Sequence, residues 1–149
     1  MTMDSPPRCR EIAHGSLEYA LTVALRDRVL RAPLGLTFTS AELATEAAHW
    51  HLAVWQGERL LACLVLVPLA GGEVKMRQVA VEPAWQGRGL GRQLVDFAER
   101  LAHSRGATLM TLHARATAVA FYLHLGYELV GQPFVEVTIP HQAMRKALA

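Results

Sequence analysis

The residues of this chain whose types and spacing could do chemistry gather in one short stretch. Glu82 to Arg92 reads EPAWQGRGLGR and follows directly on the apolar run KMRQVAV, Lys75 to Val81. Gly87, Gly89 and Gly91 stand at alternate positions, with Arg88 and Arg92 among them. A strand, a glycine turn and a helix start bring successive backbone N–H groups and the positive end of a helix dipole to one point, which favours an anion. Glycine suits such a turn because a Cβ would hold the ligand's oxygens away from those N–H groups. The arginines add charge for phosphate oxygens. Outside the turn, His113 and His141 carry imidazoles, a side-chain type that can move a proton. His49 and His51 alternate along a strand-like run, but no carboxylate or third ligand stands in tandem with them, so no metal is expected.

Two familiar phosphate loops do not fit the glycine turn. A nucleotide triphosphatase loop needs Lys-Ser or Lys-Thr after its last glycine, whereas Gly91 is followed by Arg92-Gln93. The dinucleotide fingerprint spaces its third glycine more widely than Gly89 and Gly91 allow. Composition narrows the classes further. With 149 residues, 52% apolar and 19% charged, the chain reads as one globular domain over 1–149, with 1–8 a flexible tail. A formal charge of +2 without a basic run argues against nucleic acid as a partner. Cys9 and Cys63 make neither a disulfide framework nor a CxxC site, which points to a reduced, cytoplasmic setting. The start MTMDSPPR has no apolar signal core, and the longest apolar run, Leu60 to Ala70, is too short to span a bilayer.

The elements that must position these residues follow from periodicity. Ser16 precedes a helix to Arg31 with Leu17, Leu21, Ala24, Leu25 and Val29 on one face, and Ser40 can cap a short second helix with Leu43 and Ala47 inward. Strands over His49–Gln56, Arg59–Ala70 and Val74–Val81 form an antiparallel meander. After the glycine turn, Leu90, Leu94, Phe97, Ala98 and Leu101 make the apolar stripe of a helix lying on a sheet. A buried strand over Ala107–Ala114, a helix over Thr117–Leu125 and last strands over Tyr127–Val130 and Phe134–Ile139 complete the chain, with Pro140 limiting pairing at its own position. The fold class is α/β (α+β), a mixed sheet with helices on its faces.

Gln86, Gly89 and Gly91, after VAVEPAW, resemble the pyrophosphate-binding motif of the GNAT N-acetyltransferase superfamily, and Ala118 to Tyr127, AVAFYLHLGY, resembles its second signature. One helix and one strand separate the two, as in that family. The resemblance implies a central sheet of six to seven strands with two splayed parallel strands, Val74–Val81 and Ala107–Ala114, and acetyl-CoA in the wedge between them. It implies that Val79, Ala80 and Val81 offer backbone groups to the pantetheine and thioester, and that Gln86, Gly87, Arg88, Gly89, Leu90, Gly91 and Arg92 wrap the pyrophosphate. Tyr122 matches the family's tyrosine near the thioester sulfur, where a phenol acts as general acid.

In two places the chain departs from the family. Arg115 stands where many relatives have Asn, so contact with the coenzyme there passes to a charge or is lost. The place of a glutamate base found in some relatives falls near Met110. A base for the acceptor amine is still needed, and His113 or His141 is the candidate. The implied activity is acetyl transfer from acetyl-CoA to a small-molecule or peptide amine by direct attack in a ternary complex. No membrane partner is implied, and a homodimer is allowed. The alternative is a module that binds acyl-CoA without turnover.

Overall fold

The computed structural model describes residues 5–149. Met1 to Asp4, half of the expected tail, lie outside them, and the first strand already begins at Arg8. Seven strands form one sheet in the order β1-β2-β3-β4-β5-β7-β6. They are β1 (Arg8–Ile12), β2 (Trp50–Gln56), β3 (Arg59–Pro68), β4 (Glu73–Val81), β5 (Leu109–Arg115), β6 (Glu128–Glu136) and β7 (Ile139–Ala147). Neighbours are antiparallel except β4 and β5, which run parallel.

Alternation along the central strands supplies a core on each face. Leu52, Val54, Leu64 and Leu66 pack with Val74 and Met76 under Leu94, Val95 and Ala98 of α3 (Leu90–Ser104). Ala53, Trp55 and Cys63 point the other way, toward Tyr19 and Leu25 of α1 (Leu17–Arg26). The stripe expected on α3 is present, with Phe97 and Leu101 half-buried at its margin.

The first helix differs from its expected reading. Its inward residues are Tyr19, Thr22, Leu25 and Arg26, while Leu17 and Leu21 are exposed. The rotation has a partner as its reason. Arg26 is buried and makes a two-point ion pair with Glu46 at 2.9 and 2.6 Å, and Tyr19 donates to the same carboxylate at 2.6 Å. A polar triad of this kind satisfies itself and can occupy a face that hydrophobicity alone assigns to leucine. The α-helix ends at Arg26, and Asp27–Arg31 continues as a π-helical turn. In α2 (Ser40–Thr45) the cap is Thr39 rather than Ser40, because Thr39 and Glu42 form a reciprocal capping box. Ala47 is exposed and Leu43 half-buried.

The C-terminal hairpin also departs from expectation. β6 runs through Gly131-Gln132-Pro133 as one strand with a register shift between Val130 and Phe134, and β7 extends from Ile139 to Ala147. Glu136 and Ile139 close a two-residue turn at Val137-Thr138, both with positive φ. The next pair, Val135 and Pro140, is therefore of the non-hydrogen-bonded kind. Pro140's missing N–H faces the β5 side one residue beyond the last β5 pair, Arg115 with His141. Proline costs no ladder bond there, so the strand continues.

Candidate active site

β4 and β5 stay together only from Glu73 opposite Leu109 to Met76 opposite Leu112. Beyond that point β4 has no partner on its β5 side among the described residues, while β5 goes on beside β7 to Arg115. A bulge in β4 accompanies the parting. Against β3 the register runs from Val65 opposite Arg77 to Cys63 opposite Ala80, so Gln78 and Val79 share the place opposite one residue. Gln78 takes φ 56, and its buried side-chain Oε1 has no partner among the described residues. Val79, Ala80 and Val81 follow along the open edge, with Ala80 buried and the valines half-buried against the core.

At the end of β4, Pro83–Trp85 makes a 3₁₀ turn, and Gln86 donates its side-chain N–H to the Val81 carbonyl at 3.3 Å. Gly87 and Gly89 have φ of 77 and 83, the left-handed region that glycine enters freely. Gly89 caps α3 without any side-chain bond, and the first bond of the helix runs from the Gln93 N–H to the Gly89 carbonyl. The N–H groups of Leu90, Gly91 and Arg92 therefore lack helical acceptors and stand ready for an anion. Arg88 lies over the Trp85 ring, and neither Arg88 nor Arg92 enters an ion pair among the described residues. Gly91 has a packing reason of its own: a Cβ there would lie 3.2 Å from Cζ of Phe121.

Tyr122 sits in α4 (Val119–His124), buried, with its ring edge-on to Phe121 and Tyr127. Its hydroxyl has no hydrogen-bond partner among the described residues, and burial alone pushes its pKa up to about 12. It lines a cleft of about 430 Å³ together with Val79, Arg115, His113 and His141. The sequence-predicted acid, both candidate bases and part of the β4 edge are thus brought to one cavity. The residues from Gln86 to Arg92 are not in its lining; Gly89 and Arg92 border a second groove beside α3.

The carboxylate of this cleft went unread in the sequence. Glu136, at the tip of the β6–β7 hairpin, accepts from Nδ1 of His113 at 3.0 Å and stands 3.9 Å from Nε2 of His141. Burial opposes its charge, but the His113 hydrogen bond and the nearby charges of His113, His141 and Lys75 outweigh that and hold its carboxyl below the usual range. His141 donates from Nδ1 to its neighbour Ile139's carbonyl at 2.7 Å and stacks on Phe134, which leaves Nε2 as its free base in the neutral ring. Lys75 lies 3.5 Å from Nδ1 of His113. A Glu two residues ahead of a Thr-Ile-Pro-His stretch could have signalled this pairing only if the hairpin register had been legible.

Met110, the place of the absent glutamate, is fully buried core. Arg115 donates to the Leu30 carbonyl at 3.3 Å, tying the end of β5 to the π-helical turn. Arg28 of that turn pairs at two points with Glu82, and Arg31 pairs with Glu42. His51 is occupied structurally, bonded to the Glu46 carbonyl at 2.8 Å, and the Cys63 thiol is pushed up to about 12 by burial. Among the described residues no three His, Cys, Asp or Glu side chains gather in a metal-binding group, and no helix is long and apolar enough to cross a membrane.

The parted parallel strands, the bulge and the uncapped glycine turn all lie within one matched family domain. The family model of the acetyltransferase (GNAT) domain matches residues 38–148, and the chain belongs to that family. It is 31% identical over 81 residues to the uncharacterised protein YyaT of Bacillus subtilis (strain 168), covering 54% of this chain and 55% of that one. The chain thus matches about half the length of that relative. Among solved structures, a candidate N-acetyltransferase from Lactobacillus plantarum superposes with TM-score 0.85 and 26% identity, covering 96% of this chain and 99% of that one. An acyl-CoA N-acyltransferase from Pseudomonas aeruginosa superposes with TM-score 0.79 and 28% identity, covering 95% and 99%.

Proposed function

We propose that the chain is a single-domain N-acetyltransferase that moves acetyl from acetyl-CoA to a primary amine by direct attack in a ternary complex. One observation carries the reading: the unpartnered edge of β4 leads from a cleft walled by Tyr122 to the uncapped start of α3. Pantetheine amides would pair with Val79 to Val81 as an added strand, and the pyrophosphate would take the N–H groups of the glycine turn. A backbone N–H at the bulge polarises the thioester carbonyl. The amine nitrogen bonds to the acetyl carbon, the carbon–sulfur bond breaks, and the Tyr122 phenol donates to the departing sulfur. Nε2 of His141 takes the amine's proton, and Glu136 stabilises the imidazolium that results, with His113 holding the other carboxylate oxygen. We read the enzyme as cytoplasmic, since its two free thiols suit a reducing compartment.

Release of coenzyme A over a panel of primary amines, with mass spectrometry of the products, tests this. The expected result is one N-acetyl product per thiol released. Acetyl-CoA that binds but releases no thiol with any amine would instead identify a non-catalytic acyl-CoA-binding module.

A further inference from the structure

The charges around the cleft are unequal. Lys75 and Arg77 project from the same face of β4, two residues apart, and Arg115 enters from the end of β5. None of the three is in an ion pair among the described residues. Arg31, also at the wall, is satisfied by Glu42. Among the described residues the one carboxylate of the lining, Glu136, is already shared between two histidines. Burial and the neighbouring Arg77 both bear on Lys75 and lower its pKa, even though Glu136 and Glu73 act in the opposite sense. Two like charges held side by side on a half-buried strand, with no carboxylate bonded to either, favour an incoming anion. The start of α3, which suits the donor's pyrophosphate, lies outside this lining, so the donor leaves these cations free.

We infer that the acceptor is an amine that also carries an oxyanion, a carboxylate or a phosphate, bound by Lys75 and Arg77 while its amino group faces the Glu136–histidine cluster. The inference rests on the acetyltransferase reading and names its substrate class. Such a site discriminates against polycations such as polyamines, whose second ammonium would meet Lys75 and Arg77.

Matched acceptor pairs test it: an amino acid against its methyl ester, phosphoethanolamine against ethanolamine, and spermidine as the polycation. Each is scored by thiol release and by calorimetric binding to the protein loaded with coenzyme A. The oxyanion-bearing member of at least one pair is expected to win about tenfold or more in both measurements, the size of one charge-assisted hydrogen bond. Arg77→Gln and Lys75→Met are each expected to bring that ratio toward one, and Arg77→Lys to keep most of it. Turnover with equal preference inside every pair, or a preference for spermidine, would overturn the inference and leave the acetyltransferase reading standing. Calorimetric preference for the oxyanion without thiol release from any amine would uphold the anion site and sink the acetyltransferase reading.

Discussion

Replacing Tyr122 by phenylalanine separates packing from chemistry at one atom. The ring is buried against Phe121 and Tyr127, with centroids at 5.0 and 5.6 Å, and those contacts survive the change. The hydroxyl bonds to nothing among the described residues, so its loss is expected to alter unfolding free energy by no more than about 0.5 kcal/mol. A general-acid role is worth about 10²–10⁴ in rate, or about 2.7–5.4 kcal/mol of transition-state stabilisation. With a pKa raised to about 12, the phenol stays protonated through the neutral range and is always ready to donate. A free thiol titrates near about 8.5, so the stabilisation comes chiefly from the donated hydrogen bond as charge grows on sulfur. Steady-state thiol release should therefore show kcat lowered at least about a hundredfold, with little change in KM for acetyl-CoA and an unchanged melting curve. A variant that keeps its folding and turns over within about twofold of the parent would refute the acid assignment.

Four further outcomes follow from the geometry. Gly89→Ala forces a Cβ onto φ 83 at a site with open space around it, so stability should fall by about 1–2 kcal/mol while KM for acetyl-CoA rises about tenfold or more, read by thermal melts and kinetics. Glu136→Gln keeps the shape but removes the charge that steadies both histidines. It should lower kcat/KM about a hundredfold and flatten the acid limb of the pH–rate profile, because in the parent that limb includes protonation of Glu136 as pH falls through its depressed pKa. Thermal melts against pH should show stability falling below about pH 6.5, because burial holds His51 neutral with its pKa below the ordinary value and acid must charge it. Glu46 adds a second loss at lower pH. Burial raises its pKa, but the Arg26 and Tyr19 bonds lower it further, so its contribution lasts until pH falls through that depressed value. Glu46→Gln should cost about 3–5 kcal/mol at neutral pH, since it strands the buried Arg26.

What was legible in the sequence was local pattern. The glycine turn could be read because the left-handed backbone at Gly87 and Gly89 ties residue type to position, and the stripe on α3 because burial on a helix has a period, whereas Gln86, Gly91 and Tyr122 were singled out through the family resemblance. Arg26 was hidden because its burial depends on Glu46, twenty residues away along the chain and unknowable from the helix itself. Glu136 was hidden for a similar reason. Its place beside His113 and His141 depends on the register of β5, β7 and β6, and Gly131, Pro133 and Pro140 read as strand ends in isolation. That Lys75 and Arg77 border a cleft depends on β4 parting from β5, which no local pattern encodes.

The contact between Gly91 and Phe121 joins the two halves of the proposed donor site. Phe121 packs against the turn, and its ring meets that of its neighbour Tyr122, so one side chain bridges the turn and the phenol. In the proposed donor mode that bridge would act as a gauge of donor length. A short acyl-pantetheine without the pyrophosphate would still enter the wedge, but nothing would seat it against the turn, and its sulfur would drift from the phenol. On the proposed donor mode the turn would govern how well the thioester is aimed, and truncated donors should lose turnover as well as affinity.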